Sequence, residues 1–204
     1  MDEIVLQAMA KWPNVPHCYG WLLLDARGQW RMRDAAAQAA GSAGDVIRHP
    51  SLQAFINRNY LSDAQGRWYF QNGPQRVYVN LPAAPYILHC TPQGWHDHTG
   101  QAWGAAETIW LTPEGNLLVQ SAGRLAWCDD RDLPQLFAAC RLHGHEVDEA
   151  DWLALLTAEH PALPVLDMSL LWEGGSGACR LQRLPQADIA AHFGFCRTPQ
   201  ADQC

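Results

Sequence analysis

Basic residues are scarce in this sequence: 14 Lys and Arg stand against 21 Asp and Glu in 204 residues, a formal net charge of −7 with histidine neutral. Displacing counterions from a duplex needs a continuous positive face, and here the densest basic group, Arg27, Arg31 and Arg33, sits beside Asp25 and Asp34. Nucleic acid is therefore excluded as a partner, and an anionic membrane surface with it. No apolar run approaches the ~18 residues of a membrane span. The opening ten residues carry Asp2 and Glu3 where a secretory signal has a basic region, so neither insertion nor export is expected. Charged residues are thin overall, at 17%, but 48% hydrophobic residues supply a core, which excludes disorder of the whole chain.

Catalytic motifs are missing as well. The seven cysteines are odd in number, dispersed, and form no Cys-x-x-Cys pair, so they read as reduced thiols filling a core in a cytoplasmic protein. Cys18 beside His17 has no orienting acid or oxyanion donors marked out for it. No Gly-x-Ser-x-Gly elbow occurs, and Gly174 to Gly177 is not followed by the Lys-Ser or Lys-Thr of a phosphate cradle. The carboxylates at Asp129-Asp130 and at Asp148, Glu149 and Asp151 stand where helices begin, which the free N–H groups of a first turn explain. No catalytic residue and no cofactor is predicted.

What is present is a recurring turn. Asp25 to Gly28, Asp63 to Gly66 and Thr112 to Gly115 each place Asp or Thr first and Gly fourth, and each separates two strand-like runs. The dipeptide Asn72-Gly73 adds a hairpin between residues 68–71 and 76–81, with Pro74 at an exposed corner or sheet edge. Tyr86 to Cys90 follows as a further strand, and residues 124–128 complete the later meander. Helices are predicted from Ser51 through Ile56, from Asp132 to Cys140, from Asp148 to His160, and from Gln186 to Phe193 with Gly194 as the stop. Met168 to Trp172 pairs with Cys179 to Leu184 in a last hairpin. The pattern predicts an α+β fold of antiparallel hairpins and meanders with a few packed helices. It divides into similar units over residues 1–93 and 94–204, either a diverged duplication or a common turn used repeatedly.

The run Trp12-Pro13-Asn14-Val15-Pro16-His17-Cys18-Tyr19-Gly20-Trp21, then Leu24 to Asp34 and Phe70 to Val79, resembles a proteobacterial family of uncharacterised proteins of similar length. The resemblance covers about the first 90 residues; it implies a bacterial, cytoplasmic setting and brings no activity. Trp21 to Trp30 also resembles the short Trp-Gly hairpin repeats of some bacterial proteins.

Ten tryptophans are far above ordinary usage, and an indole either fills a core or offers a flat face to a ligand. Trp21, Trp30, Trp68, Trp110, Trp127 and Trp152 lie in strands or on an apolar helix face and read as core. Trp12, Trp95, Trp103 and Trp172 lie near loops and are the candidate ligand platforms. His96 and His98, in a Gly-flanked loop close to His89-Cys90, are the candidate metal ligands, although two histidines in a loop are more often solvated. Arg76, with Gln71 and Asn72, forms a candidate recognition corner, since a guanidinium fork on a strand end fits a carboxylate or phosphate; a surface salt bridge is the plainer role. Taken together, these readings predict a non-catalytic module that binds a protein partner or a second copy of itself. The rivals are a small-molecule pocket between the units near Trp95 to Trp103 and a metal-binding protein.

Overall fold

The computed structural model describes residues 2–142, 144–157, 162–167 and 178–201. The chain is α+β and divides into two compact units, Met1–Pro85 with Phe193–Cys204 and Tyr86–His192.

In the first unit, α1 (Glu3–Lys11) carries an acid in its first turn and a base in its last, which suits the helix dipole, and buries Val5. Then come β1 (Cys18–Leu24), β2 (Trp30–Met32), α2 (Ala35–Ala39), β3 (Asp45–Val46), α3 (Pro50–Arg58), β4 (Tyr60–Ser62), β5 (Trp68–Asn72) and β6 (Gln75–Asn80). Pro50 opens α3, where its missing N–H costs nothing, and the helix buries Ile56. The turn Asp25 to Gly28 forms as its residues demand: Asp25 Oδ1 accepts from the backbone N–H groups of Arg27 and Gln29, and Gly28 takes φ +74°. The β5–β6 hairpin pairs Asn72 with Gln75, so Gly73 and Pro74 make the turn, one residue later than Asn72-Gly73 suggests. The sheet order is β3-β2-β1-β6-β5-β4. Its β1–β6 pair is parallel, which no local signal announces, because the two strands lie far apart in sequence.

The second unit contains β7 (Tyr86–Thr91), β8 (Gly94–Asp97), β9 (Thr108–Leu111), β10 (Leu117–Ser121), β11 (Arg124–Cys128), a 3-10 turn (Asp130–Asp132), α4 (Leu133–Ala139), β12 (Arg141–Leu142), β13 (His145–Glu146), α5 (Glu149–Thr157), β14 (Ala162–Asp167), β15 (Ala178–Arg183) and α6 (Ile189–Phe193), which runs one residue into the first unit. Its sheet order is β13-β12-β14-β15-β9-β10-β11-β7-β8. Tyr86 to Cys90, which looks like the end of the first meander, instead runs parallel to β11 in this second sheet. The predicted divide at residue 93 stands in the turn between β7 and β8.

One arrangement occurs in both sheets. A hairpin, β1–β2 or β7–β8, lies with its first strand parallel to the last strand of a three-stranded meander, β4–β5–β6 or β9–β10–β11. The meander turns Asp63 to Gly66 and Thr112 to Gly115 thus occupy equivalent places. The second unit then continues past β9 through β15, which pairs with β9 in parallel. The partner of β15 in the last hairpin is Ala162–Asp167; Met168 to Trp172, read as that strand, lies outside the described residues.

Leu22, Leu24, Trp30, Ile56, Phe70, Val79 and Leu81 are buried in the first unit. The second centres on Leu88, Ile109, Leu111, Leu117, Val119, Leu136 and Leu181. Trp21 departs from the core reading, being 45% exposed, because the Leu22 and Leu24 face of β1 is the one that turns inward. Cys18, Cys90, Cys128, Cys140 and Cys179 are free thiols, but Cys196 is disulfide-bonded, unlike the reading of reduced cysteines throughout. Among the described residues, no helix is long and apolar enough to cross a membrane.

Candidate functional site

Alternation on the first sheet gathers an aromatic and cationic face. Arg76, Tyr78 and Asn80 lie on one side of β6; Gln71 and Tyr69 are their cross-strand neighbours on β5; Leu23, opposite Asn80, and hence Trp21 lie on the same side of β1. Tyr19 stacks on Tyr78 with centroids 4.7 Å apart, and the His17 ring meets Tyr78 edge-on at 5.8 Å.

Tyr78 is anchored from the turn before β5. Its hydroxyl donates to Asp63 Oδ2 at 3.1 Å and accepts from Arg67 Nη2 at 3.3 Å, while Arg67 Nε pairs with Asp63 at 2.8 Å. Asp63 and Arg67 therefore compensate one another. Burial raises the Asp63 pKa, but the hydrogen bonds from Arg67 and Tyr78 outweigh it and hold the carboxyl low.

Arg76 is compensated less directly: burial lowers its pKa, but a hydrogen bond with Tyr78 and the more distant charge of Asp63 prevail and raise it. Its guanidinium lies over the Tyr69 ring, 4.6 Å from the centroid, half-buried, and no carboxylate among the described residues pairs with it. Its neighbour Gln71 is buried, donates from Nε2 to the Gly73 carbonyl at 2.8 Å, and leaves Oε1 without a partner. His17 reports the local field: burial lowers its pKa first, and the positive charges of Arg76 and Arg67 lower it further. Of the predicted corner, Arg76 and Gln71 thus come together, whereas the exposed Asn72 pairs with Gln75 and by alternation lies on the opposite face. His17, Tyr19, Tyr69 and Tyr78, absent from the predicted set, complete it. The β5–β6 register could have pointed to Tyr69 and Tyr78; the parallel β1–β6 pairing that adds His17 and Tyr19 leaves no mark in sequence.

Trp95 and Trp103 are buried in the core of the second unit, not displayed as ligand platforms. The reason is the turn Asp97 to Gly100, in which Asp97 Oδ1 accepts from Thr99 N, Thr99 Oγ1 and Gln101 N, folding residues 95–103 back so that Trp103 N donates to the Trp95 carbonyl. Arg124 pairs with the other Asp97 oxygen and lies over Tyr86 and Trp103, 4.4 and 4.3 Å from their centroids. Trp12 is 51% exposed; Trp172 lies outside the described residues.

His96 and His98 border the same turn. His96 Nδ1 is 3.1 Å from both Thr91 Oγ1 and the Gly94 carbonyl, and His98 Nδ1 accepts from Ile87 N at 3.3 Å. Burial pushes the His98 pKa down to about 3, so the ring is neutral. Neither belongs to the one group among the described residues whose ligand atoms converge, which is His89, Asp129 and Asp132. His89 stands on β7, Asp129 directly follows the parallel strand β11, and Asp132 ends the 3-10 turn. Asp129 is fully buried; burial opposes its ionisation, but the hydrogen bonds from Arg131 prevail and hold its pKa near about 2.

The second unit also has a cavity of about 390 Å³ walled by Leu111, Phe137, Val147, Trp152 and Leu156, with Glu149 at its margin.

A family model described as protein of unknown function (DUF2946) matches residues 1–200, and the chain belongs to that family. The resemblance read in the opening segments therefore extends over nearly the whole sequence. No curated protein matches the chain. Among solved structures, it is similar to the crystal structure of a DUF1285 family protein from Silicibacter pomeroyi DSS-3, at 13% identity and a TM-score of 0.48, over 93% of this chain and 98% of that one.

Proposed function

We propose that this member of the DUF2946 family is a non-catalytic binding module, and that the tyrosine and arginine side of its first sheet receives an anionic group of a protein partner. The observation that carries this reading is Arg76: a guanidinium partly withdrawn from water, seated on Tyr69, with no carboxylate in direct ion pair with it among the described residues, only the Tyr78 hydroxyl and the more distant charge of Asp63. Withdrawing a cation from water without a counter-ion is unfavourable, and a ligand carboxylate or phosphate would offset that cost while accepting both prongs of the fork. Most of the exposed apolar side chains lie on the same unit. Of the exposed large hydrophobics, Ile4, Leu6, Trp12, Trp21, Met32 and Leu52 belong to the first unit and Leu153 to the second. A cytoplasmic setting is part of the proposal, supported by the five free thiols and opposed by the Cys196 disulfide.

Calorimetric titration of the full chain with a hexaglutamate peptide, and separately with inorganic phosphate, tests the reading. Saturable binding that Arg76→Ala weakens by roughly tenfold or more, the size of a lost charge-assisted contact, with the melting temperature unchanged, is expected. Absence of saturable binding for both probes, or binding indifferent to Arg76, overturns it.

A further inference from the structure

We infer that His89, Asp129 and Asp132 form a site for a divalent transition-metal ion of zinc type, where β7 runs parallel past the carboxyl end of β11. His89 Nδ1 lies 3.3 Å from Asp129 Oδ2 and 3.6 Å from Asp132 Oδ2, and the three ligand atoms all fall within 4.8 Å of one another. These separations are long for a charge-assisted hydrogen bond of about 2.8 Å. The two separations from His89 match the edges of a tetrahedron drawn with metal–ligand bonds of about 2.1 Å, whose donor atoms stand roughly 3.4 Å apart. One imidazole and two carboxylates form a nitrogen and oxygen set suited to such an ion, with the further position left to solvent.

The surroundings support the assignment independently of these distances. Asp132 stands at the N-cap of α4, yet its side chain caps nothing there; Oδ2 accepts instead from Cys90 N at 3.1 Å, which turns the carboxylate towards β7. Asp129 is held by Arg131, through the backbone N–H and Nε to Oδ1 at 3.0 Å, and through Nε at 3.2 Å and Nη2 to Oδ2, the oxygen that also faces His89. Two of the three ligands are thus fixed by hydrogen bonds outside the cluster, as the outer partners of metal ligands are. The side chains of His89 and Asp132 remain 26% and 18% exposed, so an ion has a path in from water.

The test uses the untagged full chain, stripped with chelator and titrated with zinc chloride by calorimetry, and with cobalt chloride by absorption. One equivalent of zinc binding with micromolar or tighter affinity, and a cobalt visible band of tetrahedral intensity, are expected. His89→Ala and Asp132→Asn should each weaken zinc at least tenfold with the circular dichroism unchanged, while His96→Ala leaves it as it was. Should His89→Ala fail to fold, the zinc-induced shift of the His89 imidazole resonances in the unaltered chain replaces it. Lack of stoichiometric binding, binding undiminished in the folded variants, or His89 resonances that zinc leaves in place would overturn the assignment.

Discussion

Along β1 of the first unit, buried Leu22 and Leu24 alternate with exposed Trp21, whereas β9 of the second buries every residue from Thr108 to Leu111. The two sheets share a hairpin laid parallel to a meander, so strand order does not explain the contrast. Covering does. In the second sheet β9 is flanked by β15 and β10 and packs into a core that includes Trp95, Trp103 and Leu136. A strand buried on both faces cannot alternate, while a half-solvated one must. Polar chemistry divides accordingly. The first unit holds half-buried Arg76 against the buried rings of Tyr69 and Tyr78; the second holds neutral His98, ionised Asp129 and the Asp97–Arg124 pair inside or against its core. One strand plan can therefore carry different sets of ionisable groups, according to what covers it.

The strongest way to break this comparison acts on the first unit alone. Gly66 adopts φ +73°, and a Cβ there would stand 2.0 Å from the Gly194 carbonyl oxygen, against the returning C-terminal segment that also pairs Leu81 N with the Arg197 carbonyl. Gly66→Ala should cost about 3 kcal/mol, from left-handed strain and overpacking together. Hydrogen exchange should show the loss of protection in β5 and β6 while β9 to β11 stay protected; equal loss in both units would refute the contrast.

Acid should act on the second unit. His98 is neutral in the folded state with a pKa near about 3, below its ordinary 6.5, so the unfolded chain takes up the proton first. Its contribution is complete above about pH 6.5 and falls as pH drops toward 3, by about 1.4 kcal/mol per pH unit. Denaturant unfolding at pH 7 and pH 5 should differ by about 2 kcal/mol from this group, and His98→Gln should flatten the difference. A pH profile identical in the variant would remove His98 as its source.

The smallest effect sharpens the first unit's side of the contrast. Because the field of Arg76 adds to burial in lowering the His17 pKa, Arg76→Ala should move the His17 titration upward in an NMR pH series. No movement would mean that burial alone sets it.

Much of the secondary structure was legible. The Gly-terminated turns, the hairpins beside them, the Pro50 start of α3 and the buried α4 position of Leu136 follow from local rules that operate within a few residues. α1 and α2 were not read: α1 has an apolar face of Val5, Ala8 and Met9 but leaves Ile4 and Leu6 in solvent, and α2 buries none of its residues. Of the candidate sites, the Arg76 and Gln71 pairing was visible in the hairpin register. In the sequence His89 stands among the potential ligands of the 89–98 stretch, with His96 and His98 preferred, and Asp129 reads as a helix cap, a role it does fill toward Arg131 N.

Composition, turn chemistry and alternation determined by themselves that this chain is an α+β protein of glycine-punctuated strand pairs, because each is decided by contacts between residues close in sequence. The tertiary structure alone decided that β7 leaves the first meander for the second sheet, that Trp95 and Trp103 go inside while Trp21 stays out, and that His89 meets carboxylates some 40 residues away. Parallel strands are joined by crossovers rather than turns, so their pairing, and every site built across it, depends on long-range packing that no short stretch of sequence encodes.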